Sequence, residues 1–301
     1  MSKRHEVLVI GAGITGLHAA RQALQSGLST AILEAQLCGG LVLNVNWLDG
    51  GITGSGIDLA TGLMSELIDL GADRIEAGAS AIVRDGADLI VESEAGRHRA
   101  AAVIVASGAR FKRLGIPGEA GFEERGVSHC ADCDGPLLQQ QDVVVVGGGD
   151  SALQEALVLA QFARQVHLVH RGSRFRAQPH LAAQVAAQPN IAVHWRTQVE
   201  AVLGAQSVQA VRLHHRDQDT QQDLPCAGFF VYVGLQPAAE FVPAAVQRDP
   251  AGFLLTGAAM QTAMPGVFAA GAVRAGCGGM LTHAIAEGIA AAQAVQALLR
   301  A

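Results

Sequence analysis

Apolar residues concentrate in two stretches that share one pattern: a β-branched run, a glycine-rich turn and a segment with helical spacing. The first stretch spans residues 7–24 and the second spans residues 143–160. An uninterrupted apolar run is typical of a buried parallel strand, and the spacing that follows is typical of a helix. A further apolar strand follows each helix, at residues 30–35 and 166–171. The pattern predicts two βαβ units, each the core of a nucleotide-binding domain.

Glycine and proline punctuate the chain after each unit, and we interpret these places as crossings between domains. An apolar strand at residues 103–108 leads into the loop 114–118, and the similar segment 233–237 follows the second unit. A strand at 267–271 and an alanine-rich helix at 281–299 close the chain. The second domain is therefore predicted to be inserted into the first. The predicted limits are residues 1–112 and 241–301 for the first domain and 113–240 for the second.

The overall composition narrows the class of protein. The chain has 301 residues and 36 glycines, 50% of its residues are hydrophobic, and its formal net charge is −6. This length suits two domains, and abundant glycine suits an α/β fold in which helices pack closely on sheets. No block of lysine and arginine invites nucleic acid, and no apolar run reaches the roughly 18 residues of a membrane span. The N-terminal apolar run is too short for a signal peptide, so we expect a cytoplasmic protein.

The first glycine-rich turn has the spacing of a dinucleotide-binding fingerprint, Gly11-x-Gly13-x-x-Gly16. The first glycine permits a tight turn, the second lets the backbone approach a pyrophosphate, and the third permits close helix packing. Amides at the helix N-terminus then face the anion. Glu34 ends the next strand, where an acidic side chain accepts hydrogen bonds from an adenosine ribose. Together these features predict a Rossmann-like dinucleotide site, whereas the glycines alone would also fit a merely tight turn.

The second turn, Gly147-x-Gly149-x-x-Ala152, has the same spacing but a different residue after its second strand. That strand ends in a histidine and an arginine where the first unit has an acid, and two more arginines follow. Arginines suit the 2′-phosphate of NADPH, whereas an acid suits the free 2′-hydroxyl of NADH. We therefore expect NADPH, although a solvated basic loop would carry the same residues. The basic residues are His170, Arg171, Arg174 and Arg176.

Two of the five cysteines, Cys130 and Cys133, form a C-x-x-C motif. A zinc site would need two more ligands, and only Cys226 with a neighbouring histidine could be imagined, so no metal is expected. A redox dithiol fits better, because two dinucleotide sites suggest hydride transfer and a disulfide is a natural two-electron acceptor. Asp134 could exchange a proton with a thiol, or it could simply begin the turn at Gly135.

Three segments carry a family resemblance: residues 126–135, which contain the C-x-x-C-D-G motif, and residues 143–160 and 166–177. They resemble the low-molecular-weight thioredoxin reductases, and the likeness extends over nearly the whole chain. The resemblance implies an α/β protein with two Rossmann-like domains, FAD on the first and NADPH on the inserted second. It also implies a homodimer that reduces a thioredoxin-like protein disulfide.

The resemblance further implies roles for individual residues. Cys133 would lie against the flavin, Cys130 would form the mixed disulfide with the substrate, and Asp134 would donate and accept the proton. Contacts with FAD are implied for one set of residues, and contacts with NADPH for another. The FAD set adds Gly39, Gly40, Asn46, Gly108, Gly271 and Ala272 to the first fingerprint. The NADPH set adds Asp150, Ser151, Glu155, His170, Arg171 and Arg176 to the second.

Five residues, at four sites, depart from the family pattern. Leu41 replaces a glutamine, Ala272 replaces an aspartate that binds the flavin ribitol or phosphate, and Gly279-Met280 replaces an arginine-glutamine pair. Gly172 replaces one of two adjacent arginines. We therefore expect weaker FAD binding than is typical of the family and a modest preference for NADPH. An alternative function is an FAD-dependent oxidase or reductase of small-molecule thiols or disulfides.

Overall fold

The computed structural model describes residues 3–45, 48, 54–277 and 279–301. They form two compact units, and the second interrupts the first in the chain. Unit 1 comprises Met1–Arg110 and Gln236–Ala301, and unit 2 comprises Phe111–Leu235. Both units combine a parallel sheet with helices, so the predicted α/β class is confirmed.

Unit 1 begins with a βαβ unit and continues with an antiparallel meander. Its sheet has the order β3-β2-β1-β6-β5-β4, in which β1 runs parallel to β2 and β6, and β5 runs antiparallel to β4 and β6. The meander was not predicted from the sequence. The elements in chain order are β1 (Arg4–Ile10), α1 (Ile14–Gln25), β2 (Thr30–Glu34), α2 (Gly56–Asp69), β3 (Asp73–Glu76), β4 (Ala79–Asp85), β5 (Asp88–Ser93) and β6 (Gly96–Val105), with a 3-10 helix at Gly40–Asn44.

Unit 2 contains the second βαβ unit and a separate antiparallel sheet. Its parallel sheet has the order β11-β10-β9-β15-β8, and β12, β13 and β14 form the antiparallel sheet. Strands β7 and β16, where the chain crosses between units, pair with each other. From one crossing to the other, the elements in chain order are β7 (Ala109–Phe111), β8 (Val127–Ser128), α3 (Ala131–Asp134), β9 (Asp142–Gly147), α4 (Asp150–Leu159), β10 (Gln165–His170), α5 (Pro179–Ala187), β11 (Ile191–Trp195), β12 (Thr197–Gly204), β13 (Val208–His215), β14 (Thr220–Pro225), β15 (Gly228–Tyr232) and β16 (Leu235–Pro237).

The end of the chain completes unit 1. Strand β17 (Val267–Ala269) pairs in parallel with β6, and α6 (Leu281–Arg300) packs against α1. The two helices approach closely at Gly288, where a Cβ would overlap the carbonyl oxygen of Thr15. Within the described ranges, no helix combines the length and the apolar character that a membrane crossing requires.

The packing of the cores explains why the parallel strands have uninterrupted apolar runs in the sequence. The central strands β1 and β9 are covered on both faces, because successive residues enter different core clusters: Val7 and Leu8 in β1, and Val143 and Val144 in β9, are all completely buried. A parallel strand that is covered on both sides needs apolar residues at successive positions rather than at alternate ones. The carboxyl ends of these strands lead directly into the two glycine-rich turns, which places the predicted binding loops at one edge of each sheet.

Candidate active site

The structure joins Cys130 and Cys133 in a disulfide, with 5.3 Å between their Cα atoms. Cys130 is the N-cap of the short helix α3, and its Sγ accepts a hydrogen bond from the amide of Cys133 at 3.2 Å. The Cys130 amide in turn donates to Oγ of Ser128 at 3.1 Å, which ties the turn to the end of β8. Asp134 ends α3 and is half-buried. The predicted two-electron centre is therefore a compact turn that carries both cysteines and the acid.

The carboxylate of Glu155 faces this redox turn from α4. Its Oε2 accepts hydrogen bonds from the amide of Ala131 at 3.0 Å and from the hydroxyl of Tyr232 at 3.2 Å. Burial raises the pKa of Glu155, while the two hydrogen bonds act in the opposite direction. Burial also raises the pKa of Tyr232, and the Glu155 carboxylate reinforces that shift. The NADPH contact implied for Glu155 stays a prediction, and its contact with the redox turn was not foreseen.

In unit 1, the three fingerprint glycines occupy positions where a side chain would collide or would cover the turn. Gly11 has φ +102°, and a Cβ there would lie 2.5 Å from the carbonyl oxygen of Ala106. A Cβ on Gly16 would overlap the carbonyl oxygen of Gly11. Gly13 caps α1 without a side-chain hydrogen bond. The glycines therefore put no side chain over the first turn of α1, whose amides suit an anion.

Glu34 binds the same turn from the end of β2. Its Oε2 accepts a hydrogen bond from the amide of Ala12 at 2.7 Å, and its Oε1 accepts one from the amide of Gln36 at 2.8 Å. A cavity of about 240 Å³ opens beside it, with Ile32 and Met64 in its wall. A carboxylate beside an apolar cleft suits an adenosine, whose ribose hydroxyls donate hydrogen bonds and whose base packs on aliphatic groups. The residues present thus fit the adenosine half of FAD.

The predicted loop Gly39–Gly40 packs on this turn. Gly39 has φ +122° and its amide donates to the carbonyl oxygen of Ala12 at 2.7 Å, while Gly40 has φ +61°. A Cβ on Gly40 would lie 3.2 Å from Cα of Gly13, so the loop lies directly over the fingerprint. Asn46, which was also predicted to contact FAD, lies outside the described residues.

The remaining predicted FAD positions lie at turns in unit 1. Gly271 has φ +75° and its amide donates to Oε2 of Glu287 at 2.8 Å. Ala272 follows in a 3-10 helix, and Arg274 binds both carboxylate oxygens of Glu287 at 2.8 and 2.5 Å. Gly108 has φ +70°, and its carbonyl accepts from the amide of Ala238 at 3.0 Å. The amide of Gly271 is thus already satisfied by a buried carboxylate rather than free for a ligand.

The second fingerprint is organised by a histidine. A Cβ on Gly147 would lie 2.5 Å from Cβ of Ala152, which is completely buried, while Gly149 faces open space. The buried ring of His170 lies against Gly148; its Nδ1 is 2.9 Å from the carbonyl oxygen of Gly147 and its Nε2 is 2.9 Å from that of Arg174. His170 therefore connects the glycine-rich turn to the basic loop.

Around this turn, some polar side chains are hydrogen-bonded within the protein and others are exposed. Asp150 accepts hydrogen bonds from the Gln178 side chain at 3.0 Å and from the Gln178 amide at 2.7 Å, which lower the pKa of Asp150. Ser151 is exposed in the first turn of α4. The basic residues after β10 are exposed too, and within the described part of the chain none of them forms an ion pair with a carboxylate. These cations are Arg171, Arg174 and Arg176. Exposed arginines without carboxylate partners fit a 2′-phosphate.

The other three cysteines are free thiols. Burial raises the pKa of Cys38, of Cys277 and, to about 12, of Cys226. In the described ranges, no group of three or more histidine, cysteine, aspartate or glutamate side chains is arranged to hold a metal ion.

Comparison with known proteins gives one consistent result. The family model described as pyridine nucleotide-disulphide oxidoreductase matches residues 5–294. The thioredoxin reductase of Treponema pallidum is 35% identical over 298 residues, which cover 98% of this chain and 97% of that protein. The bifunctional thioredoxin reductase/thioredoxin of Mycobacterium leprae is 37% identical over 89% of this chain and 60% of its own length. The crystal structure of Lactococcus lactis thioredoxin reductase superposes with a TM-score of 0.91 at 32% identity, covering 98% of this chain and 99% of that one.

Proposed function

Because the chain belongs to the pyridine nucleotide-disulphide oxidoreductase family, with thioredoxin reductases among its relatives, we propose that it reduces the disulfide of a thioredoxin-like protein. The chain is a flavoprotein disulfide oxidoreductase of a family that uses FAD and NADPH. The observation that carries the proposal is the Cys130–Cys133 disulfide, which lies in a half-exposed turn just ahead of the second fingerprint. The likeness to a bifunctional reductase/thioredoxin supports a thioredoxin-like partner.

Unit 1 is the proposed FAD-binding domain. The open first turn of α1 would receive the pyrophosphate, and Glu34 would accept hydrogen bonds from the ribose beside the cavity. The loop Gly39–Gly40 would cover the turn without side chains that block it. Bound FAD supplies the flavin that takes up a hydride and passes two electrons on.

Unit 2 is the proposed NADPH-binding domain. Gly149 leaves the turn before α4 open, and Ser151 adds an exposed hydroxyl in the first turn. Arg171 and Arg176 would bind the 2′-phosphate, because guanidinium groups form paired, charge-assisted hydrogen bonds with phosphate. His170 would hold the arginine loop against the glycine-rich turn, because its ring nitrogens contact carbonyl oxygens in both segments.

The cysteines carry the exchange with the substrate. After reduction, the Cys130 thiolate attacks one sulfur of the substrate disulfide, and the other substrate sulfur leaves as a thiol after it takes a proton. The Cys133 thiolate then attacks Sγ of Cys130, which reforms the disulfide and releases the second substrate thiol. Asp134, at the end of the same helix, is the proposed group that takes and returns the proton.

Single-cysteine variants test these roles. We expect Cys133→Ser to abolish disulfide turnover. Cys130→Ser should also lose turnover, but it should leave the Cys133 thiolate beside the flavin and show a long-wavelength charge-transfer band in the absorption spectrum. Cys226→Ser, which changes a buried cysteine away from the turn, is the control that should keep turnover. If the band appears in Cys133→Ser instead, the two roles are reversed.

Activity measurements on the unmodified protein distinguish reduction of a protein disulfide from oxidation of a small-molecule thiol. Purified protein with NADPH should reduce a thioredoxin at a rate well above its consumption of oxygen with a small dithiol. Dominant oxygen consumption would favour the alternative function, an FAD-dependent oxidase of small-molecule thiols.

We further propose a cytoplasmic homodimer, on the resemblance alone. Sedimentation of the purified protein as a monomer would contradict the dimer.

A further inference from the structure

The carboxylate of Glu155 contacts the redox turn although it is not part of the C-x-x-C-D segment. Glu155 lies on α4, 24 residues after Ala131, and accepts the amide hydrogen of Ala131 at 3.0 Å. Ala131 is completely buried and directly follows Cys130. The same carboxylate oxygen accepts the hydroxyl hydrogen of Tyr232, which is 6% exposed. The first amide of α3 is therefore bonded to a carboxylate that lies on α4 and is held by Tyr232 from β15.

The amides of this turn determine how well a sulfur anion is tolerated. Sγ of Cys130 already accepts the amide hydrogen of Cys133 at 3.2 Å, a contact that favours a thiolate. The amide of Ala131, the residue directly after Cys130, is another donor of the turn, and it is bonded to Glu155. Glu155 thus occupies one amide donor of the turn and holds a negative charge against the residue that directly follows Cys130. Both effects disfavour a thiolate at Cys130.

We propose that Glu155 is a positioning residue that makes the Cys130–Cys133 dithiol more strongly reducing, by holding its carboxylate against the amide of Ala131. The inference rests on the proposed function and names the residue that adjusts it. Reduction of the disulfide takes two electrons and two protons and yields two thiols; release of one proton to water leaves a thiol and a thiolate. A carboxylate that disfavours the thiolate makes the reduced pair less stable, so that it gives its electrons to a substrate disulfide more readily.

The groups around the carboxylate are acidic or aromatic. Asp132, on the same turn, raises the pKa of Glu155 through charge repulsion, in addition to the larger effect of burial. From β15 the facing group is Tyr232, on whose pKa Asp134 also acts. Among the described residues, the contributions that favour the charged form of Glu155 are its hydrogen bonds with Ala131 and Tyr232.

The test is a redox titration of the holoenzyme and of Glu155→Gln. Each protein is equilibrated with dihydrolipoate and lipoate at fixed ratios, quenched by alkylation, and the peptide that contains both Cys130 and Cys133 is quantified by mass spectrometry. Glutamine keeps the shape but removes the charge, so we expect the equilibrium constant for reduction to rise on the order of tenfold, which is about 30 mV for a two-electron couple. An unchanged equilibrium constant would overturn the proposal.

A matched control separates this effect from a general loss of structure. Glu119 is 2% exposed in the same unit and accepts the amides of Leu114 and Gly115 at 2.9 and 2.7 Å. Glu119→Gln removes a carboxylate that also accepts two hydrogen bonds, and it should leave the equilibrium constant unchanged. A shift of the same size in Glu119→Gln would show that the effect is structural, and the proposal would fall.

A second variant keeps the test usable if Glu155→Gln does not fold. Tyr232→Phe removes one of the two donors that stabilise the carboxylate, which then takes up a proton more readily. We expect a smaller shift in the same direction, together with faster alkylation of reduced Cys130 near neutral pH. A shift in the opposite direction contradicts the proposal. If the cysteine peptide of the unmodified protein does not titrate at all, the redox function itself is wrong, which is a different result.

Discussion

At the scale of single residues, the site depends on which polar groups already have partners. In unit 2 the arginines after β10 are exposed and without carboxylate partners within the described ranges, whereas Asp150 is engaged with Gln178. In unit 1 the amide of Gly271 is engaged with Glu287. Cofactor preference should therefore follow from the exposed arginines, and the strength of FAD binding from the changed residues around Gly271.

The arginines predict a measurable nucleotide preference. Arg176→Ala removes a cation from the proposed 2′-phosphate site, and a hydrogen bond to a charged group contributes about 1.5–3 kcal/mol. We expect KM for NADPH to rise roughly tenfold or more, with little change for NADH. Steady-state kinetics with both nucleotides measures this. Arg212→Ala is the control, because Arg212 is paired with Asp223 on the antiparallel sheet; an equal loss there would argue against a specific phosphate contact.

FAD binding should respond to a single substitution. Ala272 stands where the resemblance implies an aspartate, and it follows Gly271 in a 3-10 helix. One regained hydrogen bond is worth on the order of 1 kcal/mol, so Ala272→Asp should tighten FAD binding by several-fold to roughly tenfold. Fluorescence quenching on titration of the apoprotein measures the dissociation constant. Ala258→Asp, at an exposed turn, should leave it unchanged. Full and undetachable flavin in the unmodified protein would contradict the expected weak binding.

At the scale of elements, contact between α1 and α6 closes the helical layer of unit 1. Gly288 is buried where α6 meets Thr15, immediately after the carboxylate that binds Arg274 and Gly271. Small residues are needed here because the helix backbones themselves are in contact. The same helix therefore packs the core and orders the turn near the proposed flavin site.

Two glycine-to-alanine changes in helices should have opposite effects. Gly288→Ala puts a Cβ against the carbonyl oxygen of Thr15, and overpacking of this kind costs about 1–3 kcal/mol. Gly62→Ala lies in α2 with no atom within 4 Å of its added Cβ, so it should stabilise the protein by up to about 1 kcal/mol through helix propensity. Thermal unfolding measures both. A neutral Gly288→Ala would show that α6 can shift without cost.

At the scale of the whole molecule, each unit carries a histidine that folding keeps neutral. His18 is 6% exposed in unit 1, and among the described residues neither of its ring nitrogens has a hydrogen-bond partner. Burial, reinforced by Arg21, lowers the pKa of His18 to about 4. In unit 2, burial and the neighbouring His167 and His215 lower the pKa of His194 to about 4.

These histidines predict that the protein loses stability as the pH falls. The unfolded chain takes up a proton near pH 6.5, whereas the folded chain does not until about pH 4. The stabilisation is therefore complete above about pH 6.5 and declines down to about pH 4, by about 3 kcal/mol for His18. Denaturant unfolding at pH 7 and pH 5 measures the loss. His18→Leu should reduce the difference, whereas the exposed His283→Leu should not; equal slopes in both variants would refute the assignment to His18.

The local sequence by itself determined the two βαβ units, their glycine-rich turns and the C-x-x-C turn. Each is a short-range feature: the apolar run, the glycines and the helix start lie within about twenty residues, and Cys130 and Cys133 are three residues apart. The same holds for Glu34, whose place at the end of β2 follows from the strand before it. Periodicity and spacing carry this information because neighbours in the chain are neighbours in these elements.

Tertiary structure alone decided the contacts between distant segments. The antiparallel strands β4 and β12–β14 are partly exposed, so their sequences lack an uninterrupted apolar run and do not stand out from loops. The carboxylate of Glu155 reaches Tyr232 across 77 residues, and that of Glu287 reaches the amide of Gly271 across 16. A sequence pattern records that a residue is polar but not which distant donor it will meet, because that depends on how strands and helices pack. For this reason the redox cysteines could be identified from the sequence, whereas the contact between Glu155 and the redox turn could be identified only from the fold.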